Sequence, residues 1–187
     1  MWWHSRTGTL LIAFLLILKV AFWSWLLATI GADRLVAYIG VENGYVVMFL
    51  VAFLGGLSTF TSVTYFATVL TLASGGLSPV GLAVASSAGV TLGDAIFYLI
   101  GYLGLRHIVA GRVSLLIVRA SRFLESHPPA YLFFAVYAYA AFTPFPNDVL
   151  TIILGALRQP FLLVLTALVL GNFTLTLILA SGSAWLW

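Results

Sequence analysis

Cysteine is absent, which rules out a disulfide framework and any thiolate metal site. Charge is almost as scarce. Lys, Arg, Asp and Glu make up 7% of the 187 residues, against about 25% in a typical soluble domain. The formal net charge of +3 is too small to argue for a nucleic-acid partner. His4, His107 and His127 sit near ends or loops without ligand spacing, so no His/Asp/Glu cluster suggests a metal. Neither a Gly-x-Ser-x-Gly elbow nor a Gly-x-x-x-x-Gly-Lys phosphate loop occurs. Neither an enzyme nor a cofactor is expected.

What is present is apolar. Hydrophobic residues make up 63% of the chain, more than a soluble fold of this size could hide, so an integral membrane protein is expected. The length suits one membrane domain. At the N-terminus, the run from Thr9 to Ile30 is long, Lys19 interrupts it, and Ile30 replaces the small residue a cleavage site wants before Ala32. Residues 1–32 are therefore read as a retained transmembrane helix.

Four apolar blocks follow, at 9–32, 45–77, 79–105 and 129–187, the last divided by Arg158-Gln-Pro160. A spanning helix needs about 20 residues. Blocks 45–77 and 129–157 are too long for one span and too short for two. Segment 106–128 carries Arg106, Arg112, Arg119 and Arg122 against Glu125, which makes it cytoplasmic by the positive-inside rule. Arg6 places the N-terminus on the same side, and the 33–44 loop, with Asp33 and Glu42, outside. One crossing then separates residues 44 and 106, made by 79–105. Block 45–78 then enters and leaves on one face as a re-entrant hairpin; the alternative is that 45–77 is a tilted span and the topology differs. Residues 129–158 do the same from the cytoplasm, and 160–187 crosses outward to Trp185 and Trp187 as interfacial anchors. Segment 106–127 reads as a basic amphipathic helix on the inner leaflet, setting topology or holding anionic lipid.

The two hairpins resemble each other. Phe60-Thr61 precedes Pro79, and Phe142-Thr143 precedes Pro160; the following helices carry Gly93-Asp94 and Gly171-Asn172. The expected fold is all-α and polytopic: an inverted repeat of two re-entrant hairpins, each followed by a transmembrane helix, with residues 45–187 as its domain. In such repeats the substrate site lies where the broken segments meet.

The stretch Phe142-Thr-Pro144-Phe-Pro146-Asn147-Asp148 concentrates what a bilayer tolerates least. Pro144 and Pro146 break the helix, Asn147 can bond the freed backbone groups, and Asp148 can face a wet cavity. The alternative role for Asp148 is a helix cap. Asp94 pairs with an arginine or Lys19, or binds a proton; equally it is a buried ion pair holding helices together. Tyr98 shares its face. Lys19 either snorkels or neutralises Asp94 or Asp148. Arg158 is a topology anchor or holds a lipid phosphate. Asn172 and Thr61, with the neighbouring Thr/Ser residues, offer hydrogen bonds to a headgroup or bond back to their own helices.

Gly93-Asp94-Ala-Ile-Phe-Tyr98-Leu-Ile-Gly101-Tyr-Leu-Gly104, together with Phe142-Thr-Pro144-Phe-Pro146-Asn-Asp148, Gly155, Pro160-Phe161 and Gly171-Asn172, resembles the DedA/VTT family, also called SNARE-associated Golgi proteins. The match covers roughly residues 45–182. It implies two facing re-entrant hairpins and movement of lipids between leaflets. The lipids are phospholipid or polyprenyl-phosphate, in a multi-pass protein of the plasma or inner membrane. Carried over residue by residue, Pro144, Asn147, Asp148 and Gly155 fall on the second-hairpin motif, and Gly93, Asp94, Tyr98 and Gly101 on the helix motif. The sequence departs at 55–62, which has neither the acid nor the proline of many members, and at Asn147, where a basic residue is common. The remaining readings are a structural or assembly membrane protein and a transporter of another small anionic substrate. A homo-oligomer is left open.

Overall fold

The computed structural model describes residues 32–56, 62–104, 128–143 and 147–183. The expected N-terminal helix with Lys19, the expected first hairpin tip with Thr61, residues 105–127, Pro144 and Pro146 of the expected helix break, and the C-terminal tryptophans lie outside the described residues. All described secondary structure is helical: α1 (Ala32–Ile39), α2 (Val41–Gly56), α3 (Ser62–Ser74), α4 (Pro79–Gly104), α5 (Pro129–Phe142), α6 (Asp148–Ala156) and α7 (Phe161–Ser183).

Length sorts these helices into two kinds. At about 1.5 Å per residue, α4 and α7 reach about 35 to 40 Å, and both are long and apolar enough to cross a membrane. The others stop well short of the ~30 Å of a hydrocarbon core. Their ends are built into the sequence. Gly40 turns the chain at φ +85° between α1 and α2, where Asn43 Nδ2 donates to Ile39 O at 2.8 Å. The 33–44 segment, expected as a loop, is thus mostly helical. At the end of α3, Gly76 N bonds Ala73 O and Leu77 N bonds Leu72 O, with Gly76 at φ +91°. This paired closure satisfies carbonyls the helix leaves open. Helix α6 ends identically: Arg158 N bonds Gly155 O and Gln159 N bonds Leu154 O, with Arg158 at φ +53°.

From the second short helix of each unit onward, that match holds at a displacement of 82 positions; the first short helices correspond at 88. Gly76 corresponds to Arg158, Leu72 to Leu154, Leu82 to Val164 and Gly89 to Gly171. The glycine pair is the most telling. A Cβ at Gly89 would strike Phe49 O, Ala52 Cβ and Phe53 N; one at Gly171 would strike Tyr137 O, Ala140 Cβ and Ala141 N. Both helix pairs approach through the same backbone geometry, which small residues permit. The repeat markers Gly93-Asp94 and Gly171-Asn172 are therefore out of register: Gly93 instead abuts the Gly56 backbone, and Asp94 corresponds to Thr176.

Packing follows the same two-fold logic. In each unit the first short helix lies on its own long helix, α2 on α4 and α5 on α7; the second lies on the other unit's, α3 on α7 and α6 on α4. Buried Gly44, Met48, Ala52 and Gly56 form one four-residue-spaced stripe of α2, as Leu132, Val136 and Ala140 do on α5. One apolar core gathers α2, α3 and α4 with Ala180 of α7; the other gathers α5, α6 and α7 with Tyr98 of α4. Tyr98 and Ala180 are again 82 positions apart. Helices α4 and α7 cross antiparallel, with Tyr98 against Phe161, Asp94 against Asn172 and Ser86 against Thr176.

Candidate functional site

Helix α4 presents Ser87, Thr91, Asp94 and Tyr98 at spacings that keep one face, and all four are buried. Asp94 is fully buried, so its carboxyl must find partners inside the protein. They come from the two elements that converge there. Asn147 occupies the N-cap position of α6 without a side-chain cap bond, which leaves its amide for the interior. Its Nδ2 donates to Asp94 Oδ2 at 3.1 Å and to Asn172 Oδ1 at 3.2 Å. Asn172 Nδ2, from α7, donates to Asp94 Oδ2 at 3.4 Å and to Thr91 Oγ1 at 3.5 Å. Asp94 Oδ1 is buried with no hydrogen-bond partner among the described residues. Such an orphan acceptor costs about 1–3 kcal/mol, more when charged. A proton or a ligand's donor would satisfy it.

Asp148 stands just outside this node. It is the first residue of α6 and half-buried, where a carboxylate complements the positive helix end. Thr151 Oγ1 donates to Asn147 O and Asp148 O, both at 3.0 Å, and ties down this first turn. The sequence ranks Asp148 first, yet the buried polar node centres on Asp94. Among the described residues Asp94 is bonded by amides, not by an arginine. Tyr98 shares its face but reaches the other way, its hydroxyl donating to Gln159 O. Asn172 joins the node. No group of three His, Asp or Glu side chains occurs among the described residues.

A second polar node lies between α3, α4 and α7. Tyr65 Oη lies 2.9 Å from Ser86 Oγ and 2.6 Å from Thr176 Oγ1, and the latter two are 2.9 Å apart. Thr176 Oγ1 also donates to Asn172 O at 2.8 Å. The sequence singles out Ser86 only as a small residue suited to close helix approach, and Tyr65, Thr176 and Thr91 not at all. Thr91 is recoverable from its spacing to Asp94; Tyr65 and Thr176 are 111 positions apart.

At the far end of α6, the exposed Arg158 sets its guanidinium carbon 4.9 Å from the Tyr102 ring centroid. Tyr102 stacks on Tyr98, with centroids 6.3 Å apart and planes 16° apart. The backbone of Arg158 is left-handed, which costs a side-chain-bearing residue about 1–2 kcal/mol.

No family model matches the chain, no curated protein matches its sequence, and no solved structure matches its fold.

Proposed function

We propose that this chain is a polytopic membrane protein that moves lipid between leaflets, with its two broken segments entering the bilayer from opposite faces. The resemblance to DedA/VTT proteins points the same way. The observation that carries it is the unpartnered Asp94 Oδ1, held by α4 where the start of α6 meets α7. An ionisable group within a membrane span is expensive and usually marks a pathway. Placing it where a broken segment meets the other unit's helix is the pattern of inverted-repeat transporters. In the described conformation Asp94 is closed off, with buried Asn147 hydrogen-bonded to it and half-buried Asp148 next in the chain. Opening would separate the start of α6 from α4 and α7. Phospholipid or polyprenyl-phosphate is the cargo; another small anionic substrate is the variant of this reading.

The full burial of Asp94 favours a second reading, a structural membrane protein whose polar node only holds helices together. Reconstitution decides between them. Liposomes holding the purified chain and a headgroup-labelled lipid should show translocation above protein-free vesicles, and Asp94→Asn should reduce it at least about tenfold. A wild-type rate equal to that of empty vesicles, or an undiminished rate in the variant, would favour the structural role.

A further inference from the structure

We infer that Arg158 and Tyr102 form a binding site for a phosphate group at one mouth of the molecule. The inference takes the membrane reading as given but does not need translocation. Three observations converge. The left-handed position that closes α6 holds Arg158, whereas the corresponding position of α3 holds Gly76. Glycine takes that backbone without strain, so arginine there is a conformational liability that closing the helix does not require. Second, the guanidinium is steered rather than loose. It lies over Tyr102, which stacks on Tyr98, and Tyr98 is pinned through its hydroxyl to Gln159 O. A guanidinium held on an aromatic face keeps its planar fork of donors free for an anion. Third, among the described residues no carboxylate pairs with Arg158.

The surroundings suit an amphiphile. Leu99 and Leu103 neighbour Tyr102 on α4, and Leu162 is the second residue of α7, whose first, Phe161, packs on Tyr98; all three leucines are exposed, Leu162 to 78%. A phosphate on the guanidinium would leave an attached acyl chain beside apolar surface. The fork fits a carboxylate as well as a phosphate; phosphate is named because the headgroups of the lipids proposed above carry it.

The test uses the full chain in detergent, with phosphatidic acid, diacylglycerol and inorganic phosphate as probes. Native mass spectrometry reads the lipid retained, and a thermal melt is run in parallel. Arg158→Gly should lower the affinity for phosphatidic acid about tenfold or more while the melting temperature holds or rises. Arg158→Asn, whose side chain also tolerates the left-handed backbone, supplies the same reading if the glycine variant folds poorly. Diacylglycerol binding should be weak and indifferent to either change. Competition by inorganic phosphate supports a site for the group itself; retention of phosphatidic acid against excess phosphate, lost in the variant, supports a lipid headgroup site. Unchanged phosphatidic acid affinity in both variants overturns the site. That result, with translocation intact in liposomes, would leave the lipid-moving reading standing. Affinity lost in the variants, together with a wild-type chain that moves no lipid, would do the reverse.

Discussion

The two buried polar nodes occupy corresponding places and end differently. Tyr65 and Asn147 are 82 positions apart, as are Asp94 and Thr176, so the Tyr65–Thr176 contact of one unit is the counterpart of Asn147–Asp94 in the other. The hydroxyl node is satisfied from within the protein, since each hydroxyl gives one hydrogen bond and accepts others, Thr176 giving its own to Asn172 O. The carboxyl node does not. An ionised carboxylate only accepts, two amides crowd one of its oxygens, and the other is left over. One position in the repeat was used to fasten helices; the other kept an unmet demand inside the same architecture. A satisfied hydroxyl node needs nothing more, whereas a half-satisfied carboxyl invites something that binds.

The comparison can be broken at its scaffold first. Gly101 lies against the Ile152 backbone and Gly155 against that of Tyr98. Gly101→Ala should force α4 and α6 apart and cost about 3 kcal/mol, the upper end for overpacking, read as a lost thermal transition in detergent. Gly171→Ala should cost less, because its nearest obstacle is the Ala140 side chain at 2.6 Å rather than backbone. If the two variants melt alike, close approach is not what orders the crossing.

The nodes themselves come next. Asp94→Asn should leave the melting temperature within a few degrees of wild type but cut lipid translocation about tenfold or more. Tyr65→Phe should do the converse: about 0.5–1 kcal/mol of stability lost and a translocation rate that holds. Equal effects of both on transport would erase the distinction between a fastening node and a working one.

The smallest effects lie at the helix ends. Gly76→Ala, at φ +91°, should destabilise by about 1 kcal/mol. Arg158→Gly should stabilise by a similar amount less the lost stacking on Tyr102. Opposite signs at the two corresponding positions would show that Arg158 is kept despite its backbone.

Much of the second half was legible in the residues. The bounds of α4, α5, α6 and α7 fall within a few residues of the expected segments, because run length and the breaks at Thr143 to Asn147 and at Pro160 are local signals. The register of the repeat was not. Gly-polar dipeptides are common in Gly-rich helices, so Gly93-Asp94 resembles Gly171-Asn172 in sequence while the packing equates Gly89 with Gly171. The site was half legible. Asp94, Asn147 and Asn172 were named for separate reasons; nothing in the sequence said that they touch, nor that Tyr98 would turn away to Gln159.

By itself the sequence determined an apolar, helical chain, cut into short and long segments at fixed places, since helix length and helix breaking depend on neighbouring residues. Tertiary structure alone decided that each unit's second short helix docks on the other unit's long helix. That exchange brings together amides and a carboxyl 25, 53 and 78 positions apart. The reason is physical: such meetings follow from how two crossing helices fit at their glycines, and no local pattern encodes that fit.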